Sequence, residues 1–217
     1  DPDNTTETKY ATWTYAVQGG FYWAGAYVTD KYAIVGSDDG ESDSTSDSSY
    51  VYCFDKLTGE VVQKVGPHHG DLRSDISYYD GRIYFTSKGG YLYSYNLKED
   101  GTIDTENLIE PIEIGKMSTS TPAIANGRCY VGSSYGSNFS GTYGISVVDI
   151  NAETGAMSLE YVVYTDAYPQ TSGVVSTGYK GYNYVYFATN GASGNLWVVK
   201  DAPGMTEPDE GSQVLYT

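Results

Sequence analysis

The sequence predicts an all-β chain, a β-propeller of about four blades, each blade four antiparallel strands. Two observations carry that expectation. The composition is that of pleated sheet and turns: 24 Tyr and 26 Gly among 217 residues, the first suited to half-buried strands and the second to reversals of the chain. In addition, one strand-turn-strand pattern recurs at the length of a propeller blade.

The pattern is plainest in YVYCFDKLTGEVVQKV (50–65). Apolar residues alternate, the alternation breaks at Lys56-Leu57-Thr58-Gly59, and then it resumes, which spells strand, turn, strand. It returns as YLYSYNLKEDGTI (91–103), ISVVDINAETGAMSLEYVV (145–163) and LWVVKDAPG (196–204). The strand ends align at Asp55, Asn96, Asp149 and either Lys200 or Asp201, with first steps of 41 and 53 residues, near the ~40–50 residues of one four-stranded blade.

A hairpin precedes each copy. AYVTDKYAIVGS (26–37), ISYYDGRIYFTS (76–87) and PAIANGRCYVGS (122–133) are one pattern, and VVSTGYKGYNYVYFATN (174–190) is a fourth that reads as carrying a longer turn. Asp80-Gly81 and Asn126-Gly127 favour the positive φ angles of type I′ turns. The expected repeats are therefore roughly 20–66, 67–115, 116–165 and 166–217, within a propeller domain spanning 11–217. Residues 1–10 read as a disordered or linker segment.

EVVQKV, LIEPIEI, SLEYVVY and QVLYT read as the outer strands of four blades. ATWTYAV (11–17) reads as a fifth, with no inner strands before it. Residues 11–17 are thus expected to complete a blade that the chain otherwise lacks. The chain would then be a segment of a larger ring, or would form a homodimer through this unpaired edge strand; a clasp over a four-bladed ring is the alternative.

Twelve Lys and Arg against 28 Asp and Glu leave a net charge of −16. That surface repels phosphate backbones and anionic headgroups, so neither nucleic acid nor membrane contact is expected. No apolar run reaches the ~18 residues of a membrane helix. Cys53 and Cys129 both sit inside strand-like runs and are expected to be free, buried thiols.

The repeat "apolar pair, D/N-G, apolar-Tyr-apolar-Gly-Ser, gap, apolar-Tyr-x-apolar-Asp-x-x-Thr-Gly" resembles the pyrroloquinoline-quinone (PQQ)-like propeller repeat of quinoprotein-alcohol-dehydrogenase-like proteins. Residues 122–133 and 50–62 match it best, and the resemblance covers about 20–217. YPQTSGVVSTGY (168–179), with YVYFATNGASGNL (184–196), is similar to a variant in secreted or surface proteins of anaerobic Gram-positive bacteria. The resemblance implies a propeller and a secreted or cell-surface bacterial location. Enzymes of that family hold PQQ with a vicinal disulfide, a stacking Trp and a calcium bound by acidic and amide side chains. Here there is no Cys-Cys pair and no such cluster to align, so the expectation is no cofactor: PQQ binding is not expected, while calcium stays open.

Several short motifs invite chemistry. Gly132-Ser133-Ser134-Tyr135-Gly136 fits G-x-S-x-G, but that nucleophile elbow works on a strand-to-helix turn, and here a β-strand ends and a Gly/Ser loop follows. His68 and His69 are adjacent, with Asp71 and Asp75 nearby; on an extended strand neighbouring side chains point to opposite faces, which works against joint chelation. SDDGESDSTSDSS (37–49) departs from the calcium-loop spacing and reads as a solvated hairpin loop. NFS (138–140) and NTT (4–6) match glycosylation acceptors, which carry little weight in a bacterial protein.

In a propeller, the link from one blade's outer strand to the next blade's inner strand lies over the mouth of the ring. That places Trp23, His68, His69, Arg73, Ser120, Tyr168, Gln170 and Thr171 around one rim as expected ligand-binding residues, with no catalytic residue and no metal ligand assigned. The function expected from this rim is that of a non-catalytic binding or scaffold module recognising a protein or glycan. The alternative is a cofactor- or metal-dependent enzyme, quinoprotein-like, with its centre in the funnel.

Overall fold

The computed structural model describes residues 11–38, 40, 46–136, 141–192 and 194–216. The expected 1–10 segment, the NFS motif at 138–140 and part of the acidic loop lie outside these. No helix occurs among the described residues. The described residues form sixteen strands in four antiparallel sheets, each a meander whose spatial order follows the chain. The first holds β1 (Tyr27–Val28), β2 (Tyr32–Gly36), β3 (Asp47–Asp55) and β4 (Val61–His69). The second holds β5 (Ser77–Tyr79), β6 (Arg82–Thr86), β7 (Tyr91–Asn96) and β8 (Ile112–Glu113). In the third are β9 (Ala123–Ala125), β10 (Arg128–Ser134), β11 (Tyr143–Ile150) and β12 (Met157–Thr165), and in the fourth β13 (Val174–Tyr179), β14 (Tyr182–Ala188), β15 (Leu196–Asp201) and β16 (Gln213–Tyr216).

Turn chemistry sets the register. Asp80-Gly81 and Asn126-Gly127 have positive φ at both positions, as a two-residue turn matched to strand twist requires. The fourth hairpin does not have the longer turn that its sequence suggested. Lys180-Gly181 also takes positive φ at both positions, and Tyr179 pairs with Tyr182 directly across it. The extra length is absorbed inside the strand, as an irregularity between Ser176 and Tyr179 where Gly178 adopts φ 90°.

Two further expectations need correction. Residues 11–17 form no strand. They lie against the first sheet instead: Trp13 donates its indole N–H to the Lys56 carbonyl at 2.9 Å, and Trp13 and Tyr15 pack against Phe54 at ring distances of 5.6 and 5.0 Å. Aromatic side chains drawn to the apolar face of β3 outweigh the strand pairing that the alternation suggested, and Phe21 joins them over Tyr52 and Phe54. The expected outer strand LIEPIEI shrinks to Ile112–Glu113, because Pro111 has no N–H to give to a ladder.

The core lies between sheets. Ile34, Val51 and Cys53 of the first meet Ile83, Phe85 and Tyr93 of the second. Tyr84 and Leu92 of the second meet Cys129, Val131 and Val148 of the third. Tyr130, Ile145 and Val147 of the third meet Val185, Phe187 and Val199 of the fourth. The inner strands β5, β9 and β13 run side by side. Among the described residues the core clusters run in order from the first sheet to the fourth.

Candidate binding face at the mouth

The links 70–76, 114–122 and 166–173 cross one end of the sheets. Each crosses close to the end of the second strand of the sheet it leaves. Leu72 donates to the Ser37 carbonyl and Ser118 to the Ser87 carbonyl. In the third sheet the approach is so tight that a Cβ on Gly132 would sit 1.6 Å from the Pro169 carbonyl oxygen. Gly132 therefore serves backbone packing. With Ser134 at the end of β10, its hydroxyl on the Gly136 carbonyl, the G-x-S-x-G string is not a nucleophile elbow.

The first link carries the charged part of the mouth. Arg73 forks onto Asp38, with Nε 3.1 Å from both carboxylate oxygens and Nη2 2.7 Å from Oδ2. Its Nη2 also lies 3.1 Å from Asp71, and Lys88 reaches Asp71 at 3.2 Å. Burial lifts the Asp38 carboxyl above its ordinary range, opposed by its bonds to Arg73. Two cations thus meet two buried carboxylates in a near-neutral cluster, and the planar guanidinium suits such paired recognition.

Over this cluster stand two aromatic rings. Tyr22 and Trp23 lie 4.9 Å apart, and the Arg73 guanidinium sits 4.8 Å from the Tyr22 ring and 5.6 Å from the Trp23 ring, within cation–π range. Both rings face solvent, Trp23 with 59% of its surface exposed. Trp23 also adopts φ 63°, a left-handed conformation that costs a bulky residue on the order of 1 kcal/mol. A large apolar ring held in solvent on strained backbone is the most unusual feature of this face.

The other expected rim residues divide. His68 is not on the rim: it is 2% exposed and lies edge-on to Phe85 and Tyr93 between the first two sheets. Burial pushes its imidazole down to about 4, and Nε2 meets the Tyr95 hydroxyl at 2.9 Å. His69, on the opposite side of the strand, reaches Asp47 at 2.5 Å. The alternation of β4 separates the pair, and no group of three or more His, Cys, Asp or Glu among the described residues is placed to hold a metal ion.

Tyr168 and Ser120 are buried in the link rather than presented to solvent. The Tyr168 hydroxyl accepts from the Thr119 amide at 2.7 Å, and the Ser120 hydroxyl donates to the Thr171 carbonyl at 2.7 Å. Gln170 holds Asn190 at 2.8 Å, and Thr171 is exposed beside it. Of the expected rim, then, the structure places Trp23 against Arg73 and joins Ser120 to Thr171 within the links. It adds Tyr22, Asp38, Asp71 and Lys88, of which only Asp71 was noted beside the histidines. At the opposite end, the turns of the first two sheets enclose a hollow of about 600 Å³ around Tyr27 and Tyr78, whose rings stack at 5.1 Å. Tyr27 and Tyr78 hold non-equivalent positions in their hairpins, opposite Ile34 and Ile83, and the sequence did not show them as a groove.

Four meandering four-stranded sheets, packed face to face around adjacent inner strands, define the fold as a β-propeller of about four blades. Solved structures agree. BamB from Moraxella catarrhalis is similar with a TM-score of 0.53 at 18% identity, over 94% of this chain and 53% of that one. A europium-containing methanol dehydrogenase gives 0.59 at 13% identity, over 90% and 42%. Quinohemoprotein alcohol dehydrogenase from Comamonas testosteroni gives 0.56 at 14% identity, over 88% and 34%. The chain spans between about a third and about half of the length of these proteins. No family model matches the sequence, and no curated protein matches it. At such identities the likeness is one of fold.

Proposed function

We propose that the chain is a non-catalytic binding or scaffold module of a secreted or cell-surface bacterial protein, recognising a protein or glycan partner through the mouth face. The observation that carries this reading is the solvent-facing Tyr22–Trp23 pair backed by Arg73. An exposed aromatic platform offers a partner large contact area with little conformational entropy left to lose, and a sugar ring or an aliphatic side chain can stack on it. The charged groups beneath it neutralise one another. Arg73, Asp38, Asp71 and Lys88 position the platform, and none is placed as a free acid or base.

A bound quinone with calcium does not fit these residues. Cys53 and Cys129 lie in separate blades, so they cannot form a vicinal disulfide, and the Asp38 and Asp71 carboxylates at the mouth already face cations. No step is derived through such a group. The enzyme alternative rests on the names of the similar structures, which include both dehydrogenases and BamB and so select no activity.

The test is a binding screen on an array of defined glycans and peptides, comparing the parent chain with Trp23→Ala. A binder that the parent retains and the variant loses by tenfold or more, with an unchanged unfolding midpoint, supports the reading. Equal binding by both would remove the mouth platform from the function.

A further inference from the structure

Three turns meet at the end of the blades opposite the mouth: 29–31 between β1 and β2, 80–81 between β5 and β6, and 97–101 after β7. Between them lies the hollow of about 600 Å³, within the ~300–1,000 Å³ of small-ligand sites. Each turn is fixed by the chain's own bonds. Tyr32 gives its amide to the Thr29 hydroxyl at 2.9 Å, Lys56 Nζ holds the Thr29 carbonyl at 3.2 Å, and Leu97 donates to the Gly81 carbonyl at 2.9 Å. Gly101 comes so near the first hairpin that a Cβ there would lie 3.1 Å from the Thr29 hydroxyl. The walls of the groove therefore stand before any ligand arrives, and little ordering is left to oppose binding.

The lining combines two chemistries. Tyr27 and Tyr78 stack with their rings 5° from parallel, and Tyr78 keeps 49% of its surface exposed, which leaves ring surface to the hollow it lines. Neither hydroxyl has a hydrogen-bond partner among the described residues. Around the rings stand Asp30, Lys31, Lys98 and Glu99, all exposed. Their side chains make no hydrogen bond or ion pair among the described residues. Asp100 beside them stays ionised, its carboxyl held below the ordinary range by the hydroxyl and amide of Thr102.

These features select a ligand class. Three carboxylates against two ammonium groups, on a chain of net charge −16, repel an anion. A cation would meet the carboxylates but leave Lys31 and Lys98 facing like charge, and a wholly apolar molecule would desolvate the rim with no hydrogen bond in return. A neutral, hydroxyl-rich ring with one apolar face satisfies every group: it can lie on Tyr78, accept from the lysines and donate to the carboxylates. We propose that this groove is a second binding site, taking a short neutral oligosaccharide with one sugar ring stacked on Tyr78 and its hydroxyls held by Lys98 and Glu99. The inference does not rest on the mouth reading, since the two sites lie at opposite ends of the blades.

The experiment is calorimetric titration of the 217-residue chain with maltotetraose, cellotetraose and chitotetraose, and with tetragalacturonate as the charged counterpart. The expected result is that at least one neutral tetrasaccharide binds, about tenfold or more tighter than tetragalacturonate. Tyr78→Ala is expected to weaken that binding by about tenfold. Lys98→Met, on the exposed turn, is expected to weaken it by about threefold or more, and it reads the same groove should the tyrosine variant disturb its hairpin. Tyr164→Ala, at an exposed tyrosine on β12, is the control and is expected to leave binding unchanged. Binding of none of the three neutral sugars, or tighter binding of tetragalacturonate, overturns the proposal. Binding lost in Trp23→Ala but kept in both groove variants also overturns it, and places the saccharide at the mouth.

Discussion

Arg128 and Asp201 meet across the boundary between the third and fourth blades, 73 residues apart in sequence. Nε lies 2.9 Å from Oδ2 and Nη2 3.1 Å from Oδ1, with both side chains buried. The Tyr130 and Tyr161 hydroxyls donate to the same carboxylate, and Arg128 also reaches the Met205 carbonyl at 2.8 Å. The charged pair is thus enclosed by hydrogen bonds on both sides, the condition under which burial of charge is tolerated.

Removing one partner leaves the other charge without compensation. Arg128→Met is expected to lower unfolding free energy by about 3–5 kcal/mol. Adding Asp201→Asn to it should restore part of that loss. Denaturant titration of both variants decides, and a double variant weaker than the sum of its singles would refute the pairing argument.

His68 makes stability depend on pH. The folded chain holds it neutral down to about 4, below its ordinary 6.5, so the unfolded chain takes up a proton first. This contribution is full above about pH 6.5 and is lost as pH falls towards 4, amounting to roughly 3 kcal/mol. Carboxylates titrate in the same window, so the informative quantity is a difference. The slope of stability against pH between 7 and 4 should be shallower in His68→Gln than in the parent, and parallel slopes would exclude His68 as its source.

Burial, then the nearby charge of Asp100, raises the Cys53 thiol to about 11, and burial alone raises that of Cys129. The reactive thiolate is therefore scarce at neutral pH. A chromogenic disulfide reagent at pH 8 should modify neither cysteine in the folded chain and both after unfolding. Rapid reaction of either in the native state would contradict the packing of the blade interfaces.

Gly132→Ala places a methyl group against the Pro169 carbonyl, a contact between two backbones that no side-chain rotation relieves. A loss of about 2–4 kcal/mol is expected, of the size of strained core overpacking. Ser134→Ala, which removes the serine of the same G-x-S-x-G string, should cost less than Gly132→Ala. The reverse order, measured by thermal unfolding, would mean that the string matters for its hydroxyl.

Much of the fold could be read from local chemistry. Asp80-Gly81 and Asn126-Gly127 dictate their turns because their positive φ angles are written in the residues themselves. The alternation around them assigns the faces. Where the reading failed, a competing contact at long range had decided. Trp13 and Tyr15 alternate like a strand, but they lie on β3 because Phe54 offers apolar surface there. Asp201 resembles the strand-end acids Asp55 and Asp149, yet Asn183, the second residue past its turn, pairs with it, whereas Tyr32 and Arg128, the first residues past theirs, pair with those two. That one-residue offset turns Asp201 to the other face of its blade, towards Arg128.

The mouth was less legible than the fold. The first link carries Arg73 against Trp23, which precedes β1, but strand alternation buried His68, and the hydrogen bonds of Thr119 drew Tyr168 inward.

What the sequence determined by itself was the repeating blade, because turn residues and period-two alternation act over a few neighbouring positions. What only the tertiary structure decided was which side chains meet at long range: the Arg73 clamp, the Arg128–Asp201 pair and the aromatic cover on the first blade. Those contacts join residues tens of positions apart, and their energies depend on burial, which exists only once the blades have packed.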